Sequence, residues 1–169
     1  MKRFFLLLII YTGVWGAKAQ DMAALFIEIP DACLPSLESA WRKDLVDLYH
    51  AGKEAQLQNT MMGYSKLLTL TPDYLELRLT ERSVVEMKIL PLINHTHIIC
   101  MVTTVDAPVS DSRIEFYTTQ WQPLDASEMF TPVTADWFII DDADRESDAF
   151  KDALSRMDID LIKYRLSPD

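Results

Sequence analysis

Two cysteines, a run of carboxylates, a histidine pair and one charged aromatic stretch hold the side chains of this chain that could do chemistry. Cys33 and Cys100 are the only thiols. A disulfide between them would close a loop of about 68 residues and stabilise by roughly 4 kcal/mol in the chain-entropy picture. The alternative is two unpaired thiols, because Cys100 sits in the apolar string Ile98-Ile99-Cys100-Met101-Val102, where cysteine behaves as a small hydrophobe.

The carboxylates Asp141, Asp142, Asp144, Glu146 and Asp148 begin like a calcium loop. Counted from Asp142, the sixth place is Ser147 where the loop needs glycine, and the twelfth is Ala153 where it needs a bidentate glutamate. A solvated loop leading into a helix N-terminus, where carboxylates are favoured, accounts for the same residues. His95-Thr96-His97 would put two imidazoles on one side of an extended segment, but no third ligand is apparent, His50 being the remaining histidine, and a turn is the better reading. No metal and no cofactor are therefore expected.

Hydrolysis by an activated nucleophile needs a base and an orienting group. No GxSxG or HExxH string is present, and neither cysteine has the flanks of a papain-like nucleophile. Carboxylate pairs remain open, since only their separation in space decides glycosidase-type chemistry. Asp111, Arg113, Tyr117 and Trp121 are the residues chosen for binding, because arginine and aromatic side chains dominate interface energetics. Tyr117, Trp121 and Trp137 could instead be core aromatics on a sheet face.

The elements that must position these groups are read from hydrophobic period. Leu25-Phe26-Ile27-Glu28-Ile29 suggests a short strand or buried arm ended by Pro30. Leu37, Trp41, Leu45 and Leu48 form a helical stripe with Arg42, Lys43, Asp44 and Asp47 mostly off it, stopped by Gly52. Residues 53–60 read as a polar linker. After it the period becomes alternation: Leu75, Leu77 and Leu79, then Val85, Met87 and Ile89, with a short Thr80-Glu81-Arg82-Ser83 connection that demands antiparallel pairing.

A further strand is expected over 67–71, a central strand apolar on both faces over 96–105, and another over 114–121 after a turn containing Pro108. Candidate strands at 136–140 and 160–166 flank a short helix capped by Ser147 or Asp148. The expected class is α+β: an antiparallel meander with N-terminal and C-terminal helices packed on one face.

Lys2 and Arg3, the apolar run 4–14 and Ala17-Lys18-Ala19 have the pattern of a signal peptide cut before Gln20. The expectation is a signal peptide over 1–19 and one domain over 20–169, exported to the periplasm or secreted. The apolar run is shorter than the roughly twenty residues that span a bilayer, and no cysteine adjoins the cut, so no membrane anchor is expected. Loss of Lys2, Arg3 and Lys18 would make the formal charge of −10 three units more negative. Such acidity opposes nucleic acid, whose affinity comes from Lys and Arg neutralising phosphates. Only Gly52 and Gly63 follow residue 19, too few for a phosphate-cradling Walker A or GxGxxG loop.

Four strings taken together, Arg42-Lys43-Asp44-Leu45 with Ala51-Gly52, Leu70-Thr71-Pro72-Asp73-Tyr74-Leu75, Glu86-Met87-Lys88-Ile89-Leu90-Pro91 and Asp111-Ser112-Arg113-Ile114-Glu115-Phe116-Tyr117-Thr118-Thr119-Gln120-Trp121, carry a resemblance. They resemble an uncharacterised family of small exported proteins of Bacteroides-type gut bacteria, a domain of unknown function. The resemblance implies export, with a periplasmic location over full secretion, and a single domain. It supplies no substrate and no catalytic residue. The reading that follows is a non-catalytic module that binds a protein, peptide or glycan in the cell envelope. The alternatives are a small carboxylate-dependent hydrolase and an inhibitor of an envelope enzyme.

Overall fold

The computed structural model describes residues 21–134, 146–156 and 161–169. The expected signal peptide, the strand candidate at 136–140, Trp137 and Asp141, Asp142 and Asp144 of the acidic run lie outside the described residues. Among the described residues no helix is long and apolar enough to cross a membrane.

The framework is a seven-stranded antiparallel sheet in sequential order: β1 (Gln56–Gln58), β2 (Tyr64–Leu70), β3 (Tyr74–Thr80), β4 (Ser83–Pro91), β5 (His97–Asp106), β6 (Ser110–Thr118) and β7 (Pro123–Leu124). Short connections impose this order, since consecutive antiparallel strands need only a turn between them. Among the described residues three α-helices accompany it, α1 (Met22–Ile27), α2 (Ser39–His50) and α3 (Asp148–Ser155), with a single 3-10 turn at Ala126–Glu128.

Alternation sorts the sheet into two faces. Leu75 pairs with Met87 and Met87 with Met101; Leu77 pairs with Val85 and Val85 with Thr103. These rows form the first face, and its core cluster also takes Met22, Leu25 and Phe26 of α1 and Leu45 and Val46 of α2. The second face carries Ile98, Cys100 and Val102 of β5 and Phe116 of β6, with Leu124, Phe130, Tyr164 and Leu166 packed on them. β5 is thus buried on both sides, as its unbroken apolar run predicts. No described residue of α3 belongs to either cluster.

The structure corrects three local expectations. Residues 25–29 are not a strand: α1 occupies most of that segment, with Asp21 accepting from the Ala23 N–H as N-cap and Met22, Ala23, Leu25 and Phe26 buried. Those four recur at three- and four-residue spacing, which suits a helix as well as alternation suits a strand. The supposed linker 53–60 contains β1, an edge strand of three residues. The C-terminal segment 161–166 is not a ladder strand. The Ile162 N–H donates to Asp111 Oδ1 (3.3 Å) and the Tyr164 N–H to Ser112 Oγ (3.1 Å), so side chains of β6 take donors that a ladder would need.

The helical stripe holds from α2 onward, with Leu45 fully buried, while Leu37, also fully buried, lies just before the helix. The helix ends because Gly52 adopts φ +65°, while its N–H bonds the Tyr49 carbonyl and the Lys53 N–H bonds that of Leu48. This is a Schellman termination, which favours glycine at the left-handed position. Ser147 caps α3 through the Phe150 N–H at 3.2 Å.

Arg42 departs most from the sequence reading. It is not on the solvent side of α2 but 1 % exposed, inside the first core. Its guanidinium donates to the carbonyls of Ile27, Ile29 and Leu37 and to Asp31. The connection after α1 turns away from any ladder or helix, and the planar fork of five donors satisfies its buried carbonyls from one side chain.

Candidate functional site

The four residues chosen for binding do not form a surface. Tyr117 and Trp121 are 7 % and 6 % exposed and belong to the first core, their rings 5.4 Å apart. The core-aromatic reading holds for Tyr117 and Trp121, because Trp121, at φ +61° just past β6, folds back on Tyr117 instead of continuing the strand outward. Asp111 is used in holding Ile162. Arg113 is exposed and bridges Glu115 two residues along at 2.8 Å. Such a pair on a strand face holds little energy in solvent.

Cys33 and Cys100 are both free. Cys33 packs beside the first core and Cys100 within the second, so the sheet stands between them and of the two readings the unpaired thiols hold. Burial pushes the Cys100 thiol up to about 11. His95, at φ +63° in the β4–β5 turn, and His97 are exposed. Among the described residues no group of three or more His, Cys, Asp or Glu is placed to hold a metal.

Among the described residues the carboxylates do not assemble into a cleft. Glu76 and Glu86 are cross-strand partners of β3 and β4, and Glu86 is 3 % exposed with its Oε1 accepting from Tyr74 Oη at 3.0 Å. Burial first, then Glu86, raises the Tyr74 hydroxyl well above the ordinary tyrosine range. Asp44 and Asp47 line one shallow depression, but they sit three residues apart on the same helix. Neither pair faces a partner across a concave space, as paired acid and base chemistry requires.

A different place concentrates unusual features: the turn between β1 and β2. Asn59 is 2 % exposed. Its Oδ1 accepts from the N–H groups of Met61 (3.0 Å) and Gly63 (3.1 Å). Its Nδ2 donates to Ser65 Oγ and to the Leu79 carbonyl, each at 3.1 Å. An amide with both ends engaged fixes this turn on the sheet and holds Met62 at φ +64°. The turn then presents Met61 at 71 %, Met62 at 79 % and, at the start of β2, Tyr64 at 60 % exposure.

Grooves run on both sides of this knuckle. One, of about 380 Å³, lies between it and the segment 33–36, floored by Leu79, Val85 and Thr103. The Thr60 N–H donates to the Ser36 carbonyl at 3.1 Å and ties the two walls together. Ser36 is 5 % exposed, and its hydroxyl has no hydrogen-bond partner among the described residues. The other groove, of about 560 Å³, has Trp41, Leu57 and Met62 as its apolar residues and Asp44 at its margin.

Sequence reasoning passed over this site. The available signal was the apolar pair Met61-Met62 between Asn59 and Gly63, where turn composition calls for polar residues. The grooves had no signal, because segments 33–36 and 59–63 meet only in the folded chain.

Comparison with known proteins gives the chain a family setting. The family described as Protein of unknown function (DUF3256) matches residues 14–169. A solved structure of a domain of an uncharacterized protein from Porphyromonas gingivalis W83 is similar at 30% sequence identity, covering 80% of this chain and 70% of that chain, with a TM-score of 0.68. No curated protein matches.

Proposed function

The chain belongs to the DUF3256 family of proteins of unknown function, and we propose that it is an exported, non-catalytic interaction module that engages a protein or peptide partner through the Met61-Met62 turn. The observation that carries this reading is the contrast between Asn59, buried and bonded at both ends of its amide, and the large apolar side chains it holds in solvent. A turn needed only for chain reversal would place polar residues there. Methionine is the side chain that adapts to irregular apolar surfaces, and a rigid base under it reduces the entropy lost on binding.

A protein or peptide suits the knuckle better than a glycan, because thioethers offer a sugar almost no hydrogen bonding. Export rests on residues 1–19, whose charges, apolar run and small residues fit a cleaved leader. Two measurements test the reading. N-terminal sequencing of protein from the periplasmic fraction should begin at Gln20; an intact N-terminus in the cytosol would refute export. A partner captured from envelope extract and then purified should bind a Met61→Glu/Met62→Glu variant at least about tenfold more weakly, a loss of roughly 1.4 kcal/mol. Equal affinity for both proteins would refute the knuckle.

A further inference from the structure

The sheet ends at β1, and among the described residues no further strand pairs with it. Two backbone bonds fix how that edge faces: the Leu67 N–H donates to the Ala55 carbonyl and the Asn59 N–H to the Gly63 carbonyl, each at 2.9 Å. Ala55, Leu57 and Asn59 therefore turn their peptide groups to β2, and Gln56 and Gln58 turn theirs outward. The Gln56 N–H is taken by the Glu54 carbonyl at 3.0 Å. Left on the open edge are the N–H and C=O of Gln58 and the C=O of Gln56, groups that an added strand would pair.

Helix α2 walls one flank of this edge. The groove with Trp41 and Met62 and the depression with Asp47 and Leu48 share Asp44 and Leu57, so they form one channel beside β1. Asp44 has no ion pair among the described residues, whereas Lys43 holds Asp47 at 2.9 Å. Lys53 lines only the depression away from the knuckle, which leaves Asp44 as the place for a cation. We propose that β1 accepts an extended peptide of the partner as an antiparallel strand, and that this peptide carries an apolar residue two places before a lysine or arginine. The occupant so named rests on the reading of the Met61-Met62 turn as a docking point.

Register dictates that spacing. The peptide residue opposite Gln58 exchanges both backbone bonds with it, and the residue after it stands opposite Leu57 with its side chain in the channel, because cross-strand partners share a face. A lysine or arginine there lays its stem on Leu57 and carries its charge to Asp44. The residue before Gln58's partner points to the same side and meets Trp41 and Met62. The chain's formal charge of −10 favours a cationic segment. It disfavours a second copy, since pairing β1 with itself would set the Asp44 and Asp47 flank of α2 against the same flank of the other copy.

Random heptapeptides displayed on phage and selected on the purified protein should converge on the spacing apolar, any residue, then lysine or arginine; the selected peptide, made synthetically, is the probe for calorimetry. N-methylation of the middle residue, which bonds Gln58, should weaken binding at least about tenfold, while N-methylation of the cationic residue, whose N–H faces away from β1, should leave it unchanged. Asp44→Lys should weaken binding about tenfold, and a peptide with glutamate in place of the cation should recover it. Selection without this spacing, an equal response to the two N-methylations, indifference to Asp44→Lys, or a dimer of the chain that the peptide does not displace would overturn the proposal. Met61→Glu/Met62→Glu keeps the two readings apart. A peptide that meets the N-methyl and Asp44 expectations yet binds this variant unchanged supports the edge and refutes the knuckle. A peptide lost with the methionines that meets neither expectation supports the knuckle and refutes the edge.

Discussion

Arg42 donates through Nη2 to the carbonyl oxygen of Ile29 at 2.5 Å, from a side chain that is 1 % exposed. The same guanidinium reaches Leu37 at 2.6 Å and Ile27 at 3.2 Å, so one residue of α2 fastens the chain that follows α1. Its carboxylate partner Asp31, at 3.0 Å, is 66 % exposed. The buried carbonyls, more than the ion pair, make this cation structural.

That division predicts unequal mutants. Arg42→Ala, which strands the Ile29 and Leu37 carbonyls while Ile27 keeps the Ser39 hydroxyl, should destabilise by about 2–6 kcal/mol, roughly 1–3 kcal/mol for each unsatisfied buried group. Asp31→Ala should lose about 1 kcal/mol or less, the range of solvent-screened pairs. Urea denaturation of both variants checks this; equal losses would place the energy in the ion pair.

Asn59 and the methionines above it should separate stability from recognition. Asn59→Ala leaves the Met61 and Gly63 N–H groups without their partner, while the Leu79 carbonyl keeps the Ser65 hydroxyl, and should cost about 2–3 kcal/mol. Met61→Ser/Met62→Ser should change stability by only about 0.5 kcal/mol, because both side chains stand in solvent. Thermal melts compare the two; a large loss in the methionine variant would show the knuckle to be packing.

Trp121 offers a test of core against surface. Its Nε1–H is buried and has no hydrogen-bond partner among the described residues. Trp121→Phe removes that unsatisfied donor along with some contact area, and the two effects should nearly cancel, within about 1 kcal/mol. Trp121→Ala opens a cavity and should cost about 3–5 kcal/mol. Chemical denaturation distinguishes these; a ligand platform would tolerate both.

Alkaline pH should unfold the protein early. The Cys100 thiol, raised by burial from 9.0 to about 11, keeps its proton more tightly folded than unfolded. Its contribution is therefore complete below about pH 9 and is lost as pH rises toward 11. Tyr74 and Tyr117 are raised as well, by burial first and then by Glu86 and Glu115 respectively, and continue the decline above pH 10. Melting temperatures of the native protein should fall across this window, and Cys100→Ala should flatten the fall below pH 10. An unchanged slope in the variant would remove Cys100 from the account.

Much of the sheet was legible because alternation is a local property. Leu75, Leu77, Val85, Met87 and Ile89 declare which face they take wherever the sheet lies. Arg42 was not legible. Helical period puts it beside the apolar stripe, and only the presence of the Ile27, Ile29 and Leu37 carbonyls turns a charged residue inward. α1 was missed because its apolar residues satisfy helix and strand spacing equally over so short a run.

The amino-acid order alone determined the antiparallel meander, the doubly buried β5 and the end of α2 at Gly52, since these depend on residues near one another in the chain. Tertiary structure decided which aromatics are core, which side of the sheet each cysteine takes, and where the candidate site lies. Those outcomes depend on contacts such as Thr60 with Ser36 and Trp121 with Tyr117, in which packing and the loss of water act on groups the chain brings together only when folded.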